Sequence, residues 1–326
     1  AQQDEDLAIV NQDFIVPPTA LVAGTNTLAI HGLNFSSAAA NSNDFLILPE
    51  LSATTSNESG TLGYFANPTP GEVNDPTQIV GFVSDTKFSH DRGYYTDSFD
   101  LIITSQTPDS SIFYTTDGTP PSLENGTLYT SPITINSTTT IRAIATRENF
   151  QPTNIDTQTY LFVDDILRQT RPSGYPATWA GAAADYAMDP DIVDDPDYAD
   201  QFDEAFAALP TLSLVFDPDA LFHPSTGIYQ RPQSQGSSWE RPLSAEFMVS
   251  DDSEPGFQIN AGIRVQGGSS RNPDTPKHSL SLRFRSEYGD SKLDYPLYEN
   301  SPVGETAVEE FDLLQLRPEY NYGWMH

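Results

Sequence analysis

The chain has 326 residues, with 15 Lys+Arg against 46 Asp+Glu, a net charge of -31 and no cysteine. That charge excludes general nucleic-acid binding, because most of the surface would repel a polyanion. The lack of cysteine excludes disulfides, thiolate nucleophiles, zinc–cysteine sites and iron–sulfur clusters. With 37% hydrophobic residues, 20 Gly and 26 Pro, the composition suits many short strands and turns better than a helical bundle. Its length corresponds to two or three domains at ~150 residues each. No stretch approaches the ~20 apolar residues of a membrane span. Ala1–Asp6 lacks the basic start and apolar stretch of an intact signal peptide. It is read either as a mature end after cleavage or as an arbitrary cut. Strong acidity without cysteine fits a secreted bacterial protein from salty water, although excess carboxylates also occur in cytosolic proteins; the expected localisation is secreted or cell surface.

The expected fold class is mainly β and multi-domain. In residues 1–52, Leu21-Val22, the turn Ala23-Gly24-Thr25-Asn26 and the alternating Thr27–His31 precede a polar loop and the short apolar run Phe45–Pro49. Gly24–Ile30 followed by Asn34-Phe35-Ser36 resembles the closing strands of a galactose-binding-like jelly roll, whose front part is then expected to be missing. Residues 53–92 are rich in Thr, Ser, Asn, Gly and Pro and read as an ordered linker.

Residues 93–163 carry strand signals at Phe99–Thr104, Ser111–Thr115, Ile133–Ile135, Thr139–Ala145 and Thr157–Phe162, with turns every ~8–12 residues, as in a β-sandwich. Asp117-Gly118-Thr119-Pro120 is a turn in which Gly supplies positive φ and Pro fixes the exit. The strings Thr107–Pro121, Asn125–Tyr129 and Thr139–Ala145 resemble the C-terminal domain of chitobiases and β-hexosaminidases. That resemblance implies an immunoglobulin-like accessory module without catalytic residues. Residues 164–210 read as an acidic, partly helical connector. Asp189 to Glu204 is carboxylate-rich, and Tyr198, Phe202, Ala205, Phe206 and Leu209 recur at helical spacing between Pro196 and Pro210.

From Thr211 to the end, β character returns at Leu212–Phe216, Leu243–Val249, Ile259–Val265, Ser279–Arg285 and Phe311–Leu316. Leu280, Leu282 and Phe284 alternate with Ser281, Arg283 and Arg285, which predicts one buried and one basic face. The last residues, Tyr322–His326, provide no closing element, so truncation is expected there.

The local charge reverses between Arg264 and Arg285. Arg264, Arg271, Lys277, Arg283 and Arg285 face a single Asp274. Within this stretch, Gln266-Gly267-Gly268-Ser269-Ser270-Arg271 is a loop whose glycines allow close backbone approach. Its hydroxyls and N–H groups can hold phosphate oxygens, and Arg grips oxyanions bidentately. Two readings follow: a phosphate site, or cations that merely neutralise nearby carboxylates on a solvated strand. The spacing is not that of a P-loop.

Gly262–Arg271 followed by Pro276–Arg285 resembles the opening of the spore coat protein H (CotH) kinase family. Gly227-Ile228-Tyr229, Trp239-Glu240-Arg241-Pro242, Leu293–Tyr298 and Phe311–Arg317 continue the likeness across 211–326. It implies a partial α+β atypical kinase-like domain that uses ATP and Mg2+ in the complete parent protein to phosphorylate secreted or surface proteins. By position, Lys277 is the implied nucleotide phosphate contact. Arg264, Arg283 and Arg285 are supporting cations, and Ser269, Ser270 and Arg271 belong to the same cofactor-binding loop. The metal-binding carboxylates that phosphoryl transfer needs are expected downstream of His326, so the chain as given is expected to be inactive, with no cofactor or metal of its own.

Other candidates read as structural. His31, His90, His223, His278 and His326 lack ligand spacing, and Asp189, Asp191, Asp194, Asp195 and Asp197 do not match a calcium loop. Asp117 reads as a turn residue. Tyr114, Tyr129 and Tyr160 read as sandwich core, with sugar stacking as the alternative. The rival reading of the whole is a non-enzymatic structural or adhesive protein that binds extracellular proteins or polysaccharide.

Overall fold

The structure, a computed structural model, describes residues 55–56, 62–65, 69, 71–73, 78–249, 256–299 and 304–318. The jelly-roll expectation for 1–52 lies outside them, as do His31, His326 and the segment 322–326. The chain divides into two units, 1–82 with 149–151, and 83–148 with 152–326. In the first, Leu62–Phe65 pairs antiparallel with Thr55–Ser56 and with Gln78–Ile79. Gly81–Phe82 runs parallel to Phe150–Gln151.

The second unit is mainly β and opens with a small sandwich. One sheet orders Thr127–Leu128, Ser111–Thr115, Thr139–Thr146, Asp156–Leu161 and Gly93–Tyr94. Facing it are two short pairs: Phe99–Leu101 with Ile133–Ile135, and Ile103–Ser105 with Thr86–Phe88. Leu101, Ile103, Ile135, Ile141, Ala143, Ala145 and Tyr160 fill the space between. Ile102, exposed between Leu101 and Ile103, marks where one strand changes partners. Tyr160 is therefore core, as expected. Residues 83–92, at the end of the stretch read as a linker, are built into this module because Val83 and Thr86 are buried in it. There, the Arg92 N–H donates to Gln158 at 2.8 Å. The Asp117 turn forms as expected: Gly118 has φ +84, and Thr119 donates its N–H to the Asp117 carboxylate at 3.0 Å. Hydrogen bonding from Thr119 holds the Asp117 carboxyl below its usual range.

The C-terminal part is an antiparallel five-stranded sheet in the order Thr211–Val215, Arg241–Met248, Phe257–Gln266, Ser279–Arg283, Leu313–Leu316. Period-2 alternation gives it two unlike faces. Leu243, Ala245, Ile259, Ala261, Ile263, Val265 and Leu282 form the core on one face, joined by Ile228, Phe284 and Leu293. Registration places Ser213, Ser244, Glu246, Gly262, Arg264, Ser281 and Arg283 on the other. The predicted basic face of 279–285 is thus real.

Part of this polar face is not solvated. The outer, Thr-rich face of the sandwich covers it, and Arg142, Thr157, Thr159, Ser244 and Glu246 are all buried. Glu246 accepts from the Thr159 N–H at 3.1 Å and from the Thr159 hydroxyl, with the Arg92 Nε at 3.6 Å. Tyr94 and Thr211 hydroxyls bond at 2.7 Å. Burial raises the Glu246 pKa and lowers that of Arg92.

Within 164–210, helices form at Val163–Arg168, Pro190–Val193 and Phe202–Ala207. The Ala-rich stretch forms a ribbon, Thr178–Trp179 against Ala182–Ala183. This ribbon docks on the C-terminal part. Gln230 donates to the Thr178 carbonyl at 2.9 Å, and the Gly181 N–H donates to Pro273 at 3.0 Å. Tyr186 packs ring to ring on Tyr175 and Trp179, which in turn meet Phe222 and Tyr229.

Candidate anion-binding site

The cations predicted from the sequence separate into two groups and a lone lysine. In the first group, Arg264 and Arg283 lie diagonally on the uncovered end of the polar face, since Arg264 registers with Ser281 and Arg283 with Gly262. Arg285 follows directly. All three converge on Glu240, with Nε-to-carboxylate distances of 3.9, 3.7 and 3.3 Å. Glu240 ends the short turn Ser237–Trp239, and its side chain is only 2% exposed. Gly262 makes room for it: a Cβ there would lie 2.5 Å from Glu240 Oε1 and 2.6 Å from Tyr288 Cε2. Burial, then the Glu240 and Glu287 carboxylates, push the Tyr288 hydroxyl up to about 12. These contacts are electrostatic. Among the described residues, both Glu240 oxygens and the Nε of Arg264 and Arg283 are buried outside hydrogen-bond geometry. Three cations around one buried carboxylate leave surplus positive charge, with the exposed Glu287 touching only Arg285 at 4.0 Å.

The second group is Arg271 and its loop. Arg271 spends its guanidinium on main-chain carbonyls: Gly267 at 2.6 Å, Ser234 at 2.7 Å, Val265 at 2.6 Å and Pro232 at 3.2 Å. It staples the 232–234 segment to the 265–271 loop. The buried Ser270 hydroxyl donates to the Gln266 carbonyl, so it is a structural group of the loop. Ser269 is exposed in the short turn Ser269–Arg271. Buried His278 donates from Nδ1 to the Ser270 carbonyl, and burial lowers its pKa. It is a structural histidine, as expected. Lys277, beside it, is exposed and makes no hydrogen bond or ion pair with a described residue.

The two groups meet at a polar cleft of about 270 Å³ lined by Gln235, Gly236, Arg264, Gln266, Gly267 and Arg271. Gly267, at φ +97, shapes its wall. Lys277, Arg283 and Arg285 are not on its lining. Glu240 was named in the sequence only within a longer string. The signal that could have singled it out is an acidic residue at the edge of a strand that enters a cation-rich sheet.

A comparison with known families places the sandwich. Residues 101–160 match the Fn3-associated family. The module is an immunoglobulin/fibronectin-like β domain, and the match covers none of the C-terminal sheet. No curated protein and no solved structure matches the chain. No helix among the described residues is long and apolar enough to cross a membrane.

Proposed function

We propose that this chain is part of a modular extracellular protein whose C-terminal sheet binds the phosphate tail of a nucleotide, as the likeness to the opening of CotH-type kinases implies. The observation that carries the reading is the cleft itself. In a chain of net charge -31, it is lined by Arg264, by Arg271, whose guanidinium is held by main-chain carbonyls and contributes its charge, by two glutamines and by a glycine loop, with no carboxylate. Arginine and exposed main-chain N–H groups suit phosphate oxygens. The volume is below the ~300–1,000 Å³ of a site that encloses a whole ligand, so it suits the phosphates and leaves the base outside. Lys277, exposed further along the connection between the strands Phe257–Gln266 and Ser279–Arg283 and outside the cleft lining, is the additional cation that the likeness implies. The donor set does not fit Mg2+, which needs hard oxygen ligands. The cleft has none from carboxylates, and among the described residues no group of three acidic or histidine side chains is placed to hold a metal ion. The reading is therefore one of phosphate binding alone.

Calorimetric titration of the full chain with ATP tests this. Saturable binding is expected, weakened ~10-fold, or ~1.4 kcal/mol, by Arg264→Gln and also reduced by Lys277→Ala. Absence of ATP binding at millimolar concentration rejects the reading. The Fn3-associated module favours a second one, a non-enzymatic adhesive or spacer protein. Polysaccharide binding on a glycan array without ATP affinity supports that alternative.

A further inference from the structure

Glu240 presents an electrostatic puzzle. A carboxylate placed among cations meant for an anion is expected to compete with that anion. Here its position does something else. Its oxygens are buried and face the Nε edges of Arg264, Arg283 and Arg285. An arginine fork has a second edge, its terminal Nη pair. Among the described residues, the Nη atoms of Arg264 and Arg283 have no partner, yet they are not among the buried unpartnered atoms. They therefore reach solvent, consistent with side-chain exposures of 18% and 23%. Arg285 is more open, at 41%.

We infer that Glu240 is the positioning residue of the anion site: it anchors the inner edges of three guanidinium groups so that their outer edges point together at an incoming oxyanion. This rests on the reading that phosphate binds here: Arg264 lines the cleft, and Arg283 and Arg285 lie outside its lining and extend the cationic surface beside it through their shared contact with Glu240. Without the anchor, three like charges on long, flexible stems repel one another and lose their common orientation. The buried carboxylate pre-organises them, and three cations to one anion keep the surface attractive to a polyvalent phosphate. Gly262 leaves the space that the carboxylate and the Tyr288 ring share, so the carboxylate sits below the surface.

The two roles of Glu240 predict opposite signs. If it competes, Glu240→Gln tightens anion binding by removing a negative charge. If it positions, the same change weakens binding although the site gains positive charge. The experiment titrates inorganic tripolyphosphate and ATP into the full chain by calorimetry at low salt. Thermal unfolding is followed in parallel. Glu240→Gln is expected to weaken tripolyphosphate ~10-fold, and Glu240→Asp to recover part of the loss. Gly262→Ala leaves every charge in place but pushes the carboxylate aside, so it is expected to weaken binding too. It carries the test if Glu240→Gln does not fold. A purely structural role lowers the melting temperature and leaves the affinity of the folded protein unchanged, which overturns the inference, as does tighter binding by Glu240→Gln. Wild-type protein that binds neither probe overturns the phosphate reading and this inference with it. Wild-type binding with unaltered variants overturns the inference alone.

Discussion

The backbone N–H of Thr159, in the Fn3-associated module, donates at 3.1 Å to Glu246 of the C-terminal sheet. The Thr159 hydroxyl reaches the other oxygen of the same carboxylate and also the Ser213 hydroxyl, at 3.0 Å. One threonine thus ties the module to two neighbouring strands of the sheet. The bonds to Glu246 are buried and those to Ser213 and Thr211 partly so, which makes the contact unforgiving. A buried polar group is tolerated only while its partners stay in place.

Glu246→Ala is expected to cost about 3–5 kcal/mol, because it strands the Thr159 N–H and removes the carboxylate that lies beside half-buried Arg92 and whose charge also favours buried Arg142. Glu246→Gln keeps an acceptor for Thr159 and is expected to cost less, about 1 kcal/mol. Chemical denaturation of the two variants measures both. A loss under 0.5 kcal/mol for the alanine variant contradicts the proposed anchoring.

Stability is expected to fall as pH rises from about 4 to 6. Asp156 is half-buried beside Asp85 and hydrogen-bonded to the Thr86 hydroxyl. Burial, the largest cause, raises its pKa from 3.8 to about 6. Between those values the folded state holds a proton that the unfolded state releases, so raising the pH favours unfolding. Burial raises Glu246 as well, which acts in the same sense. Asp156→Asn is expected to flatten this part of the profile. Melting temperatures at half-unit steps from pH 4 to 7 check it, and an unchanged slope in the asparagine variant rejects the assignment.

Arg271→Ala is expected to free the 265–271 loop from the 232–234 segment, since one side chain donates to four carbonyls there. Hydrogen bonds from a charged donor contribute about 1.5–3 kcal/mol, so the sheet stays folded while the segment opens. Arg271→Lys is expected to fail as a replacement, because a single ammonium cannot span the fork's acceptors. Limited proteolysis reads the outcome: faster cleavage near 232–236 in both variants is expected. Wild-type protection in the lysine variant contradicts the role.

Some of this was legible in the residues themselves. The period-2 pattern at Leu280, Leu282 and Phe284 gave the buried and basic faces of one strand, because alternation follows from backbone geometry alone. The Asp117-Gly118 turn was equally local, since its conformation depends on Gly118 adopting positive φ and on Thr119. What covers a polar face is not local. Ser244 and Glu246 alternate with Leu243 and Ala245 as a solvated strand face would, yet a module 87 residues away in sequence buries them. The connector hid its packing for the same reason. Tyr175, Trp179 and Tyr186 show no periodicity, and the rings that anchor Tyr175 and Trp179 lie beyond residue 220. The cluster of arginines was visible as charge, but its sharing of one carboxylate depends on Gly262 leaving a space on an adjacent strand.

The bond from Thr159 to Glu246 also constrains how such a protein can diversify. A small β module can be exchanged by recombination only where its neighbour does not depend on it. Here, exchanging the module alone would leave an acid without its ligands in the sheet behind, so the two segments should be inherited as a pair.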